Sequence, residues 1–123
     1  MSSVLVIGID PQVVPEMDGD VVRGCLDQVL ARFGDHGIAA SMVLIRFDES
    51  DEPAMTKALS ERRWDVVVIG GGIREPESLV PLFEKVVNLV RQHAPQAAIA
   101  FNASGADSVE AAQRWLFPKT GIT

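Results

Sequence analysis

Two nearly unbroken apolar runs organise the chain. Residues 3–9 (SVLVIGI) and 65–71 (DVVVIGG) consist largely of Val, Ile and Leu, and both have glycine at or next to their last position. Strands that are covered by helices on both faces of a parallel sheet have this pattern, because neither face meets water. We therefore predict that both runs are central strands. Residues 38–47 (IAASMVLIRF) and 97–102 (AAIAFN) are weaker runs that predict two further strands.

Apolar residues recur at helical spacing between these strands. The first predicted helix covers residues 20–33 and is followed by glycine. A second begins at Pro53 and a third at Pro76, because proline is favoured in the first turn of a helix. The third runs to residue 93. Asp107, with Glu110 three residues later, resembles a capping box and predicts a fourth helix to about residue 115 or 116.

This alternation of strands and helices indicates βαβ units with right-handed crossovers. We predict one α/β domain over residues 1–123. Its fold is a three-layer, doubly wound parallel sheet of the flavodoxin-like and Rossmann-like type, with four strands in the order 2-1-3-4. The tail at 117–123 fits either a frayed end or an added edge strand.

The charge balance restricts the partners. Lys and Arg number 11 against 17 Asp and Glu, which gives a formal net charge of -6. Because nucleic-acid binding depends on positive charge, we expect no nucleic-acid partner and no acidic membrane surface.

The start of the chain lacks a basic segment before its short apolar run, so we expect neither a signal peptide nor a membrane span. A single cysteine is typical of a reducing compartment, so we expect a cytoplasmic location.

The predicted topology places a crevice at the carboxyl ends of the first and third strands, where the strand order reverses. Polar residues and glycines follow several strands and converge there. The candidate ligand-binding residues are Asp10, Gly71, Gly72, Arg74, Asn102 and Ser104.

The run GGGIR at residues 70–74 has two interpretations. Glycine backbone N–H groups at a helix start could cradle an anion, with Arg74 as its counter-ion. Alternatively, the run is a structural turn, and Glu75 and Glu77 complement the helix dipole themselves. The run lacks the G-x-G-x-x-G spacing of dinucleotide sites, and the chain has no P-loop motif.

Asp10 follows the first buried strand, where an acid can bind Mg²⁺, act as a base or take a phosphoryl group. The alternative is a turn-forming aspartate before Pro11.

Receiver domains share the predicted topology and have an aspartate after the third strand. Glycines stand at that position in this chain, so we do not expect phosphoacceptor chemistry. His36, His93 and Cys25 form no predicted metal-binding cluster. The sequence does not identify a cofactor.

The apolar arc of the third predicted helix is wider than one sheet face requires. We therefore expect a homodimer that forms through this helix or through the edge of the fourth strand.

The segments VLVIGIDP, DVVVIGGGIR, LFEKVVNLVRQHAP and AFNASGADSVEAAQRWL resemble a group of small bacterial single-domain α/β proteins with no assigned activity. The resemblance spans nearly the whole chain. It implies a bacterial cytoplasmic α/β domain and no particular substrate, and Asp10, Arg74 and Asn102 match its pattern at the crevice.

Taken together, these patterns favour a domain that binds a small molecule or an anion in the crevice at the ends of the first and third strands, and we expect a small anionic ligand as its partner. The alternative is a receiver-like interaction module without phosphoacceptor chemistry that acts by dimerisation. Whether the domain is an enzyme stays open.

Overall fold

The computed structural model describes residues 2–13, 19–103 and 107–116, and for residues 19–23 and 25 it describes the backbone alone. The strands are β1 (Ser3–Ile9), β2 (Ala39–Ile45), β3 (Val66–Ile69) and β4 (Ala98–Phe101). The α-helices are α1 (Gly19–Asp35), α2 (Asp51–Ser60), α3 (Gly71–Arg74), α4 (Val80–His93) and α5 (Ser108–Leu116). Short 3₁₀ turns cover Pro11–Val13 and Glu77–Leu79.

The sheet is parallel throughout, and its strand order is β2-β1-β3-β4, as the sequence predicted. The central strand β1 pairs with both β2 and β3. Val4 lies opposite Ala40 and Val66, and Ile7 lies opposite Val43 and Ile69. The order therefore reverses between β1 and β3, where the crevice was expected.

Two cores lie on the two faces of the sheet. On one face, Ile7 and Ile69 pack with Met55 of α2 and Val90 of α4. On the other, residues such as Val6 pack with α1 and α5. Adjacent residues of a strand point to opposite faces, so a strand buried on both faces must be apolar at every position. All four residues of β3 are fully buried, which explains the unbroken run and confirms the three-layer architecture.

The helix that was predicted to begin at Pro76 is divided. Residues 71–74 form α3, a 3₁₀ turn covers 77–79, and α4 begins only at Val80. Pro76 has an extended ψ of 124° and precedes the 3₁₀ turn, whereas Pro81 lies in the first turn of α4. The predicted start was therefore wrong, because a second proline five residues later opens the helix.

The helix that was predicted from Asp107 and Glu110 is α5, which begins at Ser108 and ends at Leu116. Asp107 accepts the N–H of Ala103 at 2.8 Å, while Glu110 pairs with Arg32 of α1 through two hydrogen bonds of 3.0 and 3.1 Å. The hydrogen bond from Arg32 lowers the pKa of Glu110. Because both side chains are nearly half exposed, the pair stabilises the fold only modestly, but it joins α1 to α5 on one face.

Among the described residues, none of the helices combines the length and the apolarity that a membrane span requires. The tail at 117–123 lies outside the described residues, so both of its interpretations remain predictions.

Gly70 offers a test of the close contact between β1 and β3. A Cβ at this position would lie 3.3 Å from the Ile7 carbonyl oxygen, which is backbone of the central strand. We expect Gly70→Ala to lower the free energy of unfolding by about 1–3 kcal/mol in urea denaturation, because the strand ends must move apart.

Gly34→Ala is the matched control, since a Cβ there meets nothing within 4 Å. Gly34 lies in α1, so alanine should raise the stability by about 0.5–1 kcal/mol. Equal stabilities of Gly70→Ala and the wild type would show that the strands do not need this close approach.

Candidate functional site

A cavity of about 490 Å³ opens at the carboxyl ends of β1 and β3. Ile9 of β1, Leu26 and Val29 of α1, and Met42 of β2 contribute apolar walls. Pro76 and Leu79 add to them. Small-molecule sites have volumes of roughly 300–1,000 Å³ and mostly apolar walls with a few polar groups. The position and the lining of this cavity therefore resemble those of known small-molecule sites.

The polar part of the lining comes from the glycine run, from the end of β4 and from the start of α5. Gly70, Gly71 and Gly72 line the cavity together with Asn102 and Ser108. Three of the predicted site residues, Gly71, Gly72 and Asn102, thus lie where the sequence placed them. Asp10 and Arg74 are not part of the lining, and Ser104 lies outside the described residues.

The side chain of Asn102 joins three elements at this end of the sheet. Its Oδ1 atom accepts the N–H of Gly71 at 3.1 Å, and its Nδ2 atom donates to the hydroxyl of Ser108 at 3.0 Å. Asn102 is 4% exposed, so both bonds lie out of bulk water. The first residue of α3 and the first residue of α5 are therefore held to the end of β4 by one amide group.

Arg74 turns toward the strand ends. Its Nε atom donates to the Ile69 carbonyl at 3.1 Å, and its Nη2 atom donates to the carbonyl of Asn102. The guanidinium carbon lies 5.2 Å from the ring centroid of Phe101, a distance that allows a cation–π contact. The guanidinium thus links the ends of β3 and β4.

The glycines of the run do not use the left-handed conformations that glycine allows. Gly70 is extended, with φ −71° and ψ 155°, and α3 begins at Gly71. Close packing explains two of these positions. A Cβ on Gly72 would lie 3.3 Å from Cδ1 of Ile9, and a Cβ on Gly70 would press on β1. Side-chain-free backbone therefore forms one wall of the cavity.

Asp10 is buried and forms a local turn. Its Oδ1 atom accepts the N–H of Gln12 at 2.9 Å, which is the turn-forming role that the sequence allowed. Its Oδ2 atom accepts a hydrogen bond of 3.2 Å from Nη1 of Arg46, the residue that follows β2. Arg46 was missed because nothing near it in the sequence marks it as a partner of Asp10.

Phe47 is a further residue that the sequence pattern did not indicate. It lines the cavity, it is 49% exposed, and it has a φ of 61°. Among the described residues, it is the sole non-glycine residue with a positive φ. Such a backbone conformation costs about 1–3 kcal/mol for an ordinary residue and is found preferentially at functional sites.

The acid-rich loop that carries Phe47 is held by its own carboxylates. Asp51 accepts the N–H groups of Arg46 at 2.8 Å and of Asp48 at 3.2 Å. Hydrogen bonds from the hydroxyl and the N–H of Ser50 lower the pKa of Asp48. Within the part of the chain that the structure describes, no group of His, Cys, Asp and Glu side chains is arranged to hold a metal ion.

The fold and the cavity define a flavodoxin-like, Rossmann-like α/β domain with a mostly apolar site at its topological switch point. The sequence matches no protein-family model and no curated protein, so no relative assigns a role to the site residues.

Asn102→Ala tests the network at the strand ends. Alanine removes the acceptor of the Gly71 N–H and the donor to Ser108, so we expect a loss of about 1–3 kcal/mol in the free energy of unfolding in urea. Asn88→Ala is the control, because Asn88 bonds to Glu84 on the exposed side of α4, and we expect a change within about 0.5 kcal/mol. Similar losses in the two variants would argue against the network.

Proposed function

We propose that this protein binds a small, largely apolar molecule in the cavity at the ends of β1 and β3. The observation that carries this proposal is the cavity itself. It has a volume of about 490 Å³, it lies at the topological switch point, and its walls are mainly apolar. Burial of an apolar ligand surface supplies the binding free energy.

The polar lining orients the ligand. The backbone of Gly71 and Gly72 and the side chains of Asn102 and Ser108 lie at one part of the wall. A few fixed polar groups in an apolar site select the ligand's orientation, because a ligand that leaves them without hydrogen bonds binds weakly. Asn102 has a second role in addition to orienting the ligand, because its side chain also holds the start of α3 in place.

Arg74 is a positioning residue in this proposal. Its guanidinium is engaged by the carbonyls of Ile69 and Asn102 and by the ring of Phe101. An anionic ligand would have to replace these contacts in order to pair with it. We therefore favour an uncharged ligand over the anionic ligand that the sequence suggested.

We also propose that the protein is a bacterial protein with a cytoplasmic location. The single cysteine in 123 residues supports the location, and the resemblance of its segments to small bacterial proteins supports the origin.

A thermal-shift screen tests the binding function. The panel contains adenosine, riboflavin, indole, octanoate and inorganic phosphate, and titration calorimetry then measures the dissociation constant of each compound that stabilises the protein. A compound held at 100 times its dissociation constant should stabilise the fold by about 2.7 kcal/mol. We expect one or more of the four organic compounds to do so, and phosphate to have no effect.

Leu26→Trp and Leu30→Trp are matched variants for this screen. Both residues are half-buried in α1, but Leu26 lines the cavity and Leu30 does not. We expect Leu26→Trp to weaken binding at least tenfold, because the indole occupies the ligand's space, and Leu30→Trp to bind as the wild type does. The proposal fails if no organic compound stabilises the wild type, or if Leu26→Trp binds with unchanged affinity.

Exposed aromatic residues beside β4 support a second candidate function, self-association as an interaction module. Phe101 and Trp115 are 43% and 55% exposed. Among the described residues, β4 pairs with β3 alone, and Ala98 donates to Asp65 on that side. Because the backbone groups of successive residues in a strand point to opposite sides, those of Ile99 face outward, where a second chain can meet them. The outward carbonyl of Phe101 accepts a hydrogen bond of 2.8 Å from Arg114 of the same chain.

Light scattering after size exclusion tests self-association through this edge. We expect the wild type to have twice the chain mass of 13.3 kDa, and Trp115→Lys to have the mass of one chain. Phe47→Lys is the control, since it changes a similarly exposed aromatic residue that follows the opposite edge strand β2. A wild type of one-chain mass at high protein concentration would refute the dimer.

A further inference from the structure

Phe47 combines two features that packing does not explain. Its backbone has a φ of 61°, which is unfavourable for a residue with a bulky side chain, and about half of that side chain is exposed. Because about half of the Phe47 side chain is exposed, its burial contributes little free energy. Burial therefore does not offset the cost of the unfavourable backbone conformation. Because the ring also lines the cavity, a role toward a bound molecule accounts for both features.

The residues on both sides of Phe47 are fixed by one carboxylate. Asp51, the first residue of α2, accepts the N–H groups of Arg46 and Asp48 at 2.8 and 3.2 Å. Arg46 is held further by its 3.2 Å hydrogen bond to buried Asp10. These bonds determine the backbone conformation on either side of Phe47, so the ring is kept at the cavity before any ligand arrives.

Both bare backbone and an aromatic ring line the cavity. Gly70, Gly71 and Gly72 contribute backbone without side chains, and Ile9, which lines the cavity too, lies next to Gly72. A wall without side chains lets a flat molecule lie close, and an aromatic ring stacks on such a molecule with a gain that an aliphatic chain does not provide.

The charges around Phe47 disfavour an anionic ligand. Asp48, Glu49, Asp51 and Glu52 follow it in the loop and at the start of α2, and the whole chain carries a net charge of -6. The cation of Arg46 is paired with Asp10 and lies 3.9 Å from Asp48.

We propose that Phe47 is a specificity-determining residue that stacks on the ligand, and that the ligand is an uncharged molecule with a flat ring. This inference rests on the proposed binding function. Adenosine, riboflavin and indole represent this ligand class, whereas octanoate represents a flexible apolar chain that has no ring and carries a negative charge.

Substitutions of Phe47 separate stacking from a structural role. Calorimetry with the three ring compounds and octanoate measures binding to the wild type, Phe47→Gly, Phe47→Leu and Phe47→Trp. We expect at least one ring compound to bind the wild type. Its affinity should fall roughly ten- to a hundredfold in Phe47→Gly and Phe47→Leu, and should be retained in Phe47→Trp.

The melting temperature of the ligand-free variants gives an independent readout. Glycine tolerates a positive φ, so Phe47→Gly should melt at or above the wild-type temperature. A lower melting temperature for Phe47→Gly, or unchanged ring-compound affinity in Phe47→Leu, would overturn the stacking role. Binding of octanoate alone would refute the uncharged, ring-bearing ligand while leaving a binding function at the cavity intact, and binding of no compound would refute both.

Discussion

The buried amide of Asn102 is the interaction on which the geometry of the site depends. It accepts the N–H of Gly71 and donates to Ser108, so it joins the start of α3 and the start of α5 to the end of β4. Arg74 reinforces the same junction through the carbonyls of Ile69 and Asn102. Because buried polar groups are costly when they lack partners, this network strongly favours one arrangement of the cavity's polar wall.

A second junction lies on the other side of β1. Asp10 accepts hydrogen bonds from Gln12 and Arg46, and Asp51 holds the backbone on both sides of Phe47. In both junctions, hydrogen bonds position the residues that follow the strands. The apolar core does not hold these residues, because it ends where the strands end. The cavity lies between them, with side-chain-free glycine backbone and an exposed aromatic ring in its lining.

The structure adds contacts that the sequence did not indicate for the predicted site residues. The glycine run packs against β1 and opens a four-residue helix. Arg74 links the ends of β3 and β4. The role of these residues toward an anion stays a prediction. Both sets of contacts depend on residues 28 to 63 positions away in the chain, such as Asn102 for Arg74 and Ile7 for Gly70, so no local pattern shows them.

The sequence by itself determined the strand order, the three layers and the end of the sheet at which the cavity lies. Unbroken apolar runs identify strands that are buried on both faces, and parallel strands joined by helices leave few topologies. Only the tertiary structure decided which polar groups meet at the end of the sheet where the cavity lies. Arg46 had no signal in the sequence, because its partner Asp10 belongs to another loop that only the folded chain brings close. Phe47 had none either, because no pattern of residue types marks its positive φ.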